Sequence, residues 1–180
     1  MTRDQIVVAV GAVSGAAAMG ASVVALYHVL PVDPALTDLA GRLGYALQVN
    51  AVAILPLLAG VMVVGNNRFL SDAIDPTRGL ESKATEINGR VTDNTAQQSM
   101  LFLVGTLGLA AGLSGSEMRA ITAAGVVFVV ARIAFWIGYR INPLYRAFGM
   151  AATGYLNVGL LGFAVWRFAA AQGVAALVAG

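Results

Sequence analysis

The sequence predicts an all-α integral membrane protein, and three observations predict it. Of 180 residues, 58% are hydrophobic and only 11% charged, well outside the range of a soluble domain. Apolar runs of spanning length recur along the chain, separated by short polar breaks rich in Pro, Asp and Gly. One further stretch, Glu86 to Gly112, begins as a polar helix and turns apolar without a break, which sets a guanidinium and several amides at a membrane surface. The formal net charge of +2 arises from few charges and gives no footing for nucleic acid. The absence of cysteine removes disulfides, thiolate metal sites and a thiol nucleophile of the protein's own.

The first apolar run is Ile6 to Leu30. Its length exceeds the apolar core of a signal peptide, so a retained transmembrane helix is expected. Gly11, Gly15, Ala18 and Ser22 are small enough to let another helix approach. Pro31, Asp33 and Pro34 break this helix, and Asp38 and Arg42 mark a short polar connection. A second span runs from about Tyr45 to Val64, where Gln48 and Asn50 suit helix–helix hydrogen bonds and Pro56 a kink. Residues 66 to 90 form the only long polar stretch, a loop punctuated by Asp75-Pro76 and Arg78-Gly79. The third span follows to Gly112, with Gly105, Gly108 and Gly112 expected to pack closely at a subunit interface. After a tight turn at 113–116 the fourth span covers Glu117 to Tyr139. Asn142-Pro143 reads as an N-cap and first helical position for the fifth, which runs to Trp166. Residues 1–44 are thus an additional N-terminal helix with its connection, and 45–180 a four-helix transmembrane bundle.

Basic residues orient the chain. With the 66–90 loop cytoplasmic, Arg3, Arg68, Arg78, Lys83, Arg90, Arg140 and Arg146 lie inside, against Arg42, Arg119 and Arg167 outside. The N-terminus is then cytoplasmic too. Trp136 and Trp166 are placed near opposite faces as aromatic anchors. His28, the only histidine, has no acidic or cysteine neighbours for a metal site and is read as an interfacial residue.

Two polar faces stand out. On the third span Arg90, Asn94 and Gln97 are spaced i, i+4 and i+7; on the fourth, Arg132, Phe135 and Tyr139 are spaced i, i+3 and i+7. Gln97 is roughly 10 Å inward from Arg90, and Arg132 roughly 10 Å inward from Tyr139 on an antiparallel neighbour. The two faces match in depth, so one pocket at the cytoplasmic leaflet is expected to bring them together. Ionisable groups at that depth usually have a functional purpose.

The chain resembles the MAPEG family, the membrane-associated proteins in eicosanoid and glutathione metabolism, and within it the bacterial type. The resemblance covers Arg68 to about Trp166. It rests on Arg90-x-x-x-Asn94-Thr-Ala-Gln97-Gln98, on Ala131-Arg132-Ile-Ala-Phe135-Trp-Ile-Gly-Tyr139, and on Asn142-Pro143-Leu-Tyr-Arg146-Ala-Phe148-Gly149, in the family's order and spacing. It implies a four-helix bundle per protomer, a homotrimer in a bacterial inner membrane, and glutathione sites between subunits. By position Arg90 and Asn94 match residues that hold the glutathione backbone and carboxylates. Arg132 and Tyr139 match binding residues on the next helix, Arg68 a loop-proximal arginine, and Arg146 the arginine that stabilises the thiolate. Gln97 stands where the family has an acid that grips the peptide amino group, and Phe135 where a tyrosine is common. The helix Ile6 to Leu30 is an addition to the family's four. Two functions stay open: a transferase or peroxidase joining glutathione, or another thiol, to hydrophobic electrophiles or lipid peroxides, and a non-catalytic membrane protein that binds lipid or serves a larger complex.

Overall fold

A computed structural model describes residues 1–31 and 36–171, so Asp33 and Pro34 of the first connection lie outside the described residues. Six α-helices account for most of these: α1 (Arg3–Val29), α2 (Leu39–Ala53), α3 (Leu55–Phe69), α4 (Lys83–Gly112), α5 (Arg119–Ile141) and α6 (Arg146–Ala171). Local chemistry sets their ends. Thr2 and Gln5 form a reciprocal capping box at the start of α1. Asp38 accepts from the Gly41 amide at 3.0 Å to open α2, and Ser82 accepts from the Thr85 amide at 3.1 Å to open α4. Helices α2 and α3 are one run broken at Ile54, because Pro56 has no N–H to donate back to the Val52 carbonyl.

Four stretches are long and apolar enough to cross a membrane: Arg3–Val29, Leu39–Phe69, Gly115–Ile141 and Arg146–Ala171. The remaining long helix, α4, has 30 residues and so measures about 45 Å, with charge confined to its first half. It stands at the centre, packed on α2, α3, α5 and α6, while α1 lies outermost against α6 and α5. The architecture is a helical membrane bundle. Its apolar outer surface suits lipid rather than water: Val13 on α1 is 72% exposed and Met100 on α4 is 70% exposed.

Tails and amides hold the helices together as much as apolar contact does. The Phe102 and Phe128 rings meet at 4.5 Å in the main core. Around them, Asn50 donates to Thr106 at 2.8 Å, the Tyr45 and Thr122 hydroxyls pair at 2.5 Å, and Asn157 donates to the Gln98 side chain at 2.9 Å. Such bonds have no competing water inside a bilayer. At the C-terminus of α4, Arg42 donates to the Ala110 carbonyl at 3.2 Å and Arg167 to the Gly112 carbonyl, so two cations meet the negative end of that helix.

Two expectations need correction. Gly105 and Gly108 pack inside the chain: a Cβ on Gly105 would lie 3.0 Å from Leu160 Cβ, and one on Gly108 3.3 Å from Ala164 Cβ. Their close partner is α6 of the same chain, with Gly105 buried against it and Gly108 still exposed. Asn142 opens no α-helix: it is the C-cap of α5, its side chain accepts from the Leu144 amide at 2.9 Å in the turn that follows, and α6 begins only at Arg146. Gly11 and Gly15, by contrast, do seat a helix. A Cβ on Gly15 would fall 2.2 Å from the Phe148 carbonyl oxygen, so α1 lies directly on the first turns of α6.

Candidate functional site

A cavity of about 600 Å³ opens where α4, α5 and α6 begin or end at one face of the bundle, and α1 closes its side. Arg90 and Asn94 reach it from α4, Phe135 and Tyr139 from the last turns of α5, and Arg146 from the first turn of α6. Pro143 and Leu144 floor it from the α5–α6 turn, which is tight because Gly138 passes beneath the Tyr145 carbonyl. Val8 and Ala12 of α1, with Met150, Ala151 and Tyr155 of α6, make the remainder apolar. One side of the cavity is cationic and the other greasy.

Arg132 lies just beneath. It is 1% exposed and forms the buried junction of three helices. One guanidinium nitrogen donates to Asn94 Oδ1 at 2.8 Å and the other to the Gly149 carbonyl at 3.1 Å and to the Thr153 hydroxyl, while its carbon stands 4.5 Å from the Phe135 ring centre. No carboxylate is among these partners, and its Nε–H has no acceptor at all. A buried cation offset only by dipoles and a ring favours an anion nearby. Asn94, its carbonyl side taken by Arg132, keeps its amide N–H groups for the cavity.

At the rim, Arg146 donates to the Tyr139 hydroxyl at 2.8 Å and stands over that ring at 4.9 Å. Tyr139 is fixed in turn by Phe135, Val91, Ile87 and Trp136, and Trp136 donates to Asn88 at 2.9 Å. Trp136 therefore serves as a wedge between α5 and α4 as much as an anchor. Arg90 pairs with Glu86 at 2.6 Å, one turn back on the polar part of α4. The Tyr139 hydroxyl, and then Glu86, hold the Arg90 proton more firmly than in an ordinary arginine.

The expected site residues thus separate into three groups. Arg90, Asn94, Tyr139 and Arg146 line one cavity, and Arg132 supports it from below. Gln97 is exposed on α4 and is not among the lining residues. Its neighbour Gln98 turns inward to Asn157 of α6, which leaves Gln97 on the outward side of α4. Arg68 ends α3 and pairs with Glu81 at 2.6 Å, away from the lining residues. Sequence reasoning missed the whole apolar side. Met150 was open to it as a helical neighbour of Arg146, at i+4; Tyr155, at i+9, lies off that face, and Val8 and Ala12 were hidden because nothing in the chain says which helix α1 covers. Among the described residues there is no cluster of acids and histidines fit for a metal.

A sequence profile of the MAPEG family matches residues 43–166, which is more than half of the chain. The matched region contains every residue of the cavity except Val8 and Ala12, and α1 lies ahead of it. No curated protein and no solved structure matches the chain.

Proposed function

Because the chain belongs to the MAPEG family, we propose that it is a membrane-bound glutathione transferase, with peroxidase chemistry at the same site, acting on hydrophobic electrophiles or lipid peroxides. Members of the family generally use glutathione, an anionic tripeptide. What supports that co-substrate here is the donor set, Arg90 and Arg146 on the rim with the Asn94 amide, above a buried Arg132 that holds Asn94 and has no carboxylate partner to offset its charge. That uncompensated cationic junction is the single observation that carries the reading. Arg90 and Asn94 hold the peptide and its carboxylates, and Arg146 holds the sulfur as thiolate. A thiol titrates near about 8.5 when free, and an adjacent guanidinium at a helix N-terminus lowers that value. The thiolate sulfur then attacks the electrophilic carbon; a C–S bond forms and, with chlorodinitrobenzene, chloride leaves with its electron pair.

The reading extends to a homotrimer in a bacterial inner membrane with the 66–90 loop and the N-terminus cytoplasmic. Exposed Gln97, and Arg68 at the end of α3, remain binding candidates on that reading, as groups one subunit would present to a site shared with its neighbour. The apolar side of the cavity favours a second reading, in which a non-catalytic protein binds lipid there. One titration separates the two. Purified protein in nanodiscs is expected to bind glutathione saturably, develop the ultraviolet thiolate band, and conjugate chlorodinitrobenzene, with Arg90→Ala weakening binding of a thiol-free glutathione analogue most. No saturable binding and no thiolate band would leave the lipid reading standing instead.

A further inference from the structure

We infer that α1 is the specificity wall for the apolar substrate, and that Val8 and Ala12 set the size of hydrophobic chain the site accepts. The cavity is divided by chemistry. Its cationic side comes from α4, α5 and the first turn of α6, and its apolar side is completed only by Val8 and Ala12, one helical turn apart on α1. Neither belongs to the family-matched region, so the wall is an addition to the part that the family profile covers.

Its position is fixed with unusual rigidity. A Cβ on Gly11 would lie 3.1 Å from Ala147 Cβ, and one on Gly15 would strike the Phe148 carbonyl, so α1 is seated on backbone immediately after Arg146. The lower half of α1 cannot shift without breaking that seat. At its other end the Arg119 guanidinium stands 4.2 Å from the Tyr27 ring centre, a second tie to α5. A wall held at both ends acts as a gauge: Ala12 leaves room, and a larger side chain there would take it away. An acyl chain gains little by leaving lipid for an equally apolar wall, so the effect is one of fit and positioning rather than of hydrophobic attraction. The occupant is a single long alkyl or alkenyl chain bearing its reactive carbon at the polar end.

The inference rests on the proposed thiol chemistry for the nature of the reaction, yet it can be tested without turnover. The probe is a long-chain fatty acid carrying a mid-chain diazirine, irradiated with the full-length protein in nanodiscs and mapped by peptide mass spectrometry. Labelling of the 3–29 helix within the Val8–Ala12 turn should saturate and be displaced by unlabelled fatty acid. Ala12→Trp should cut it at least tenfold while leaving binding of a thiol-free glutathione analogue within twofold. Val8→Ala, which cannot overfill the cavity, should keep the labelling and raise tolerance of branched chains. In turnover the same Ala12→Trp should raise KM for long 2-alkenals but not for chlorodinitrobenzene. Labelling that is not displaced, or that Ala12→Trp leaves unchanged in a protein that still melts normally, overturns the wall. Displaceable α1 labelling in a protein that binds no glutathione sustains the wall and removes the transferase instead.

Discussion

Arg146 and Arg132 are chemically alike and are held in opposite ways. Arg146 is a rim group with a hydroxyl and a ring for company, free to turn toward an anion; Arg132 is spent on Asn94, Gly149 and Thr153. Replacing Arg146 by Ala should raise the pH midpoint of thiolate formation by at least about one unit, toward that of free thiol, since a guanidinium favours the charged sulfur and its loss favours the proton. Tyr139→Phe should give a smaller upward shift, because the ring that carries Arg146 survives and only its hydroxyl acceptor goes. Spectrophotometric titration of the bound thiol reads both. For Arg132→Met the expectation concerns ligand rather than fold. An unneutralised buried cation costs about as much as its hydrogen bonds return, so unliganded stability should change by no more than about 2 kcal/mol. Glutathione at 100 times Kd should stabilise wild type by about 2.7 kcal/mol and the variant hardly at all, as thermal unfolding in detergent would show. The residues lining the polar side were legible because helical spacing alone puts Arg90 with Asn94. Gln97 shares that spacing but not the cavity, because the convergence of α4 with α6 at Gln98 and Asn157 is a tertiary fact.

The break at Pro56 was legible because one side chain makes it, whereas the caps at Thr2 and Ser82 went unread, Ser82 because it lies within a stretch that reads as loop. The start of α6 was misread because Asn and Pro serve a turn and a cap equally well, and the same Asn142 bond to the Leu144 amide occurs in both. The glycines make the same point from the other direction: the sequence marks close approach without naming the partner. Their partners now separate them by consequence. A Cβ on Gly149 would lie 2.5 Å from both the Ala131 carbonyl oxygen and the Phe135 nitrogen of α5, and backbone cannot give way. Gly149→Ala should therefore cost about 1–3 kcal/mol and loosen Arg132, measured as a lowered unfolding temperature and weaker analogue binding. Nothing lies within 4 Å of a Cβ on Gly159, so Gly159→Ala should be neutral or add up to about 1 kcal/mol.

At the scale of the molecule, membrane residence and bundle were legible from composition and run lengths, and Gly11 and Gly15 marked the packing face of α1, whereas nothing in the chain said that α6 is the helix seated on it. Topology is open to a direct check because the chain has no cysteine of its own. Thr77→Cys should react with a membrane-impermeant maleimide from the cytoplasmic side only, and Ser116→Cys from the opposite side only; the reverse pattern would invert the orientation proposed. The seat of α1 also bears on how the protein comes into being. Helix α1 has its principal docking surface on α6, some 130 residues later in the chain, so α1 must wait in the bilayer until α6 is made. Arg146 joins the site at the same late moment. A chain that stops short of α6 therefore has neither Arg146 nor the surface on which α1 is seated, and the cavity closes only once both helices are in place.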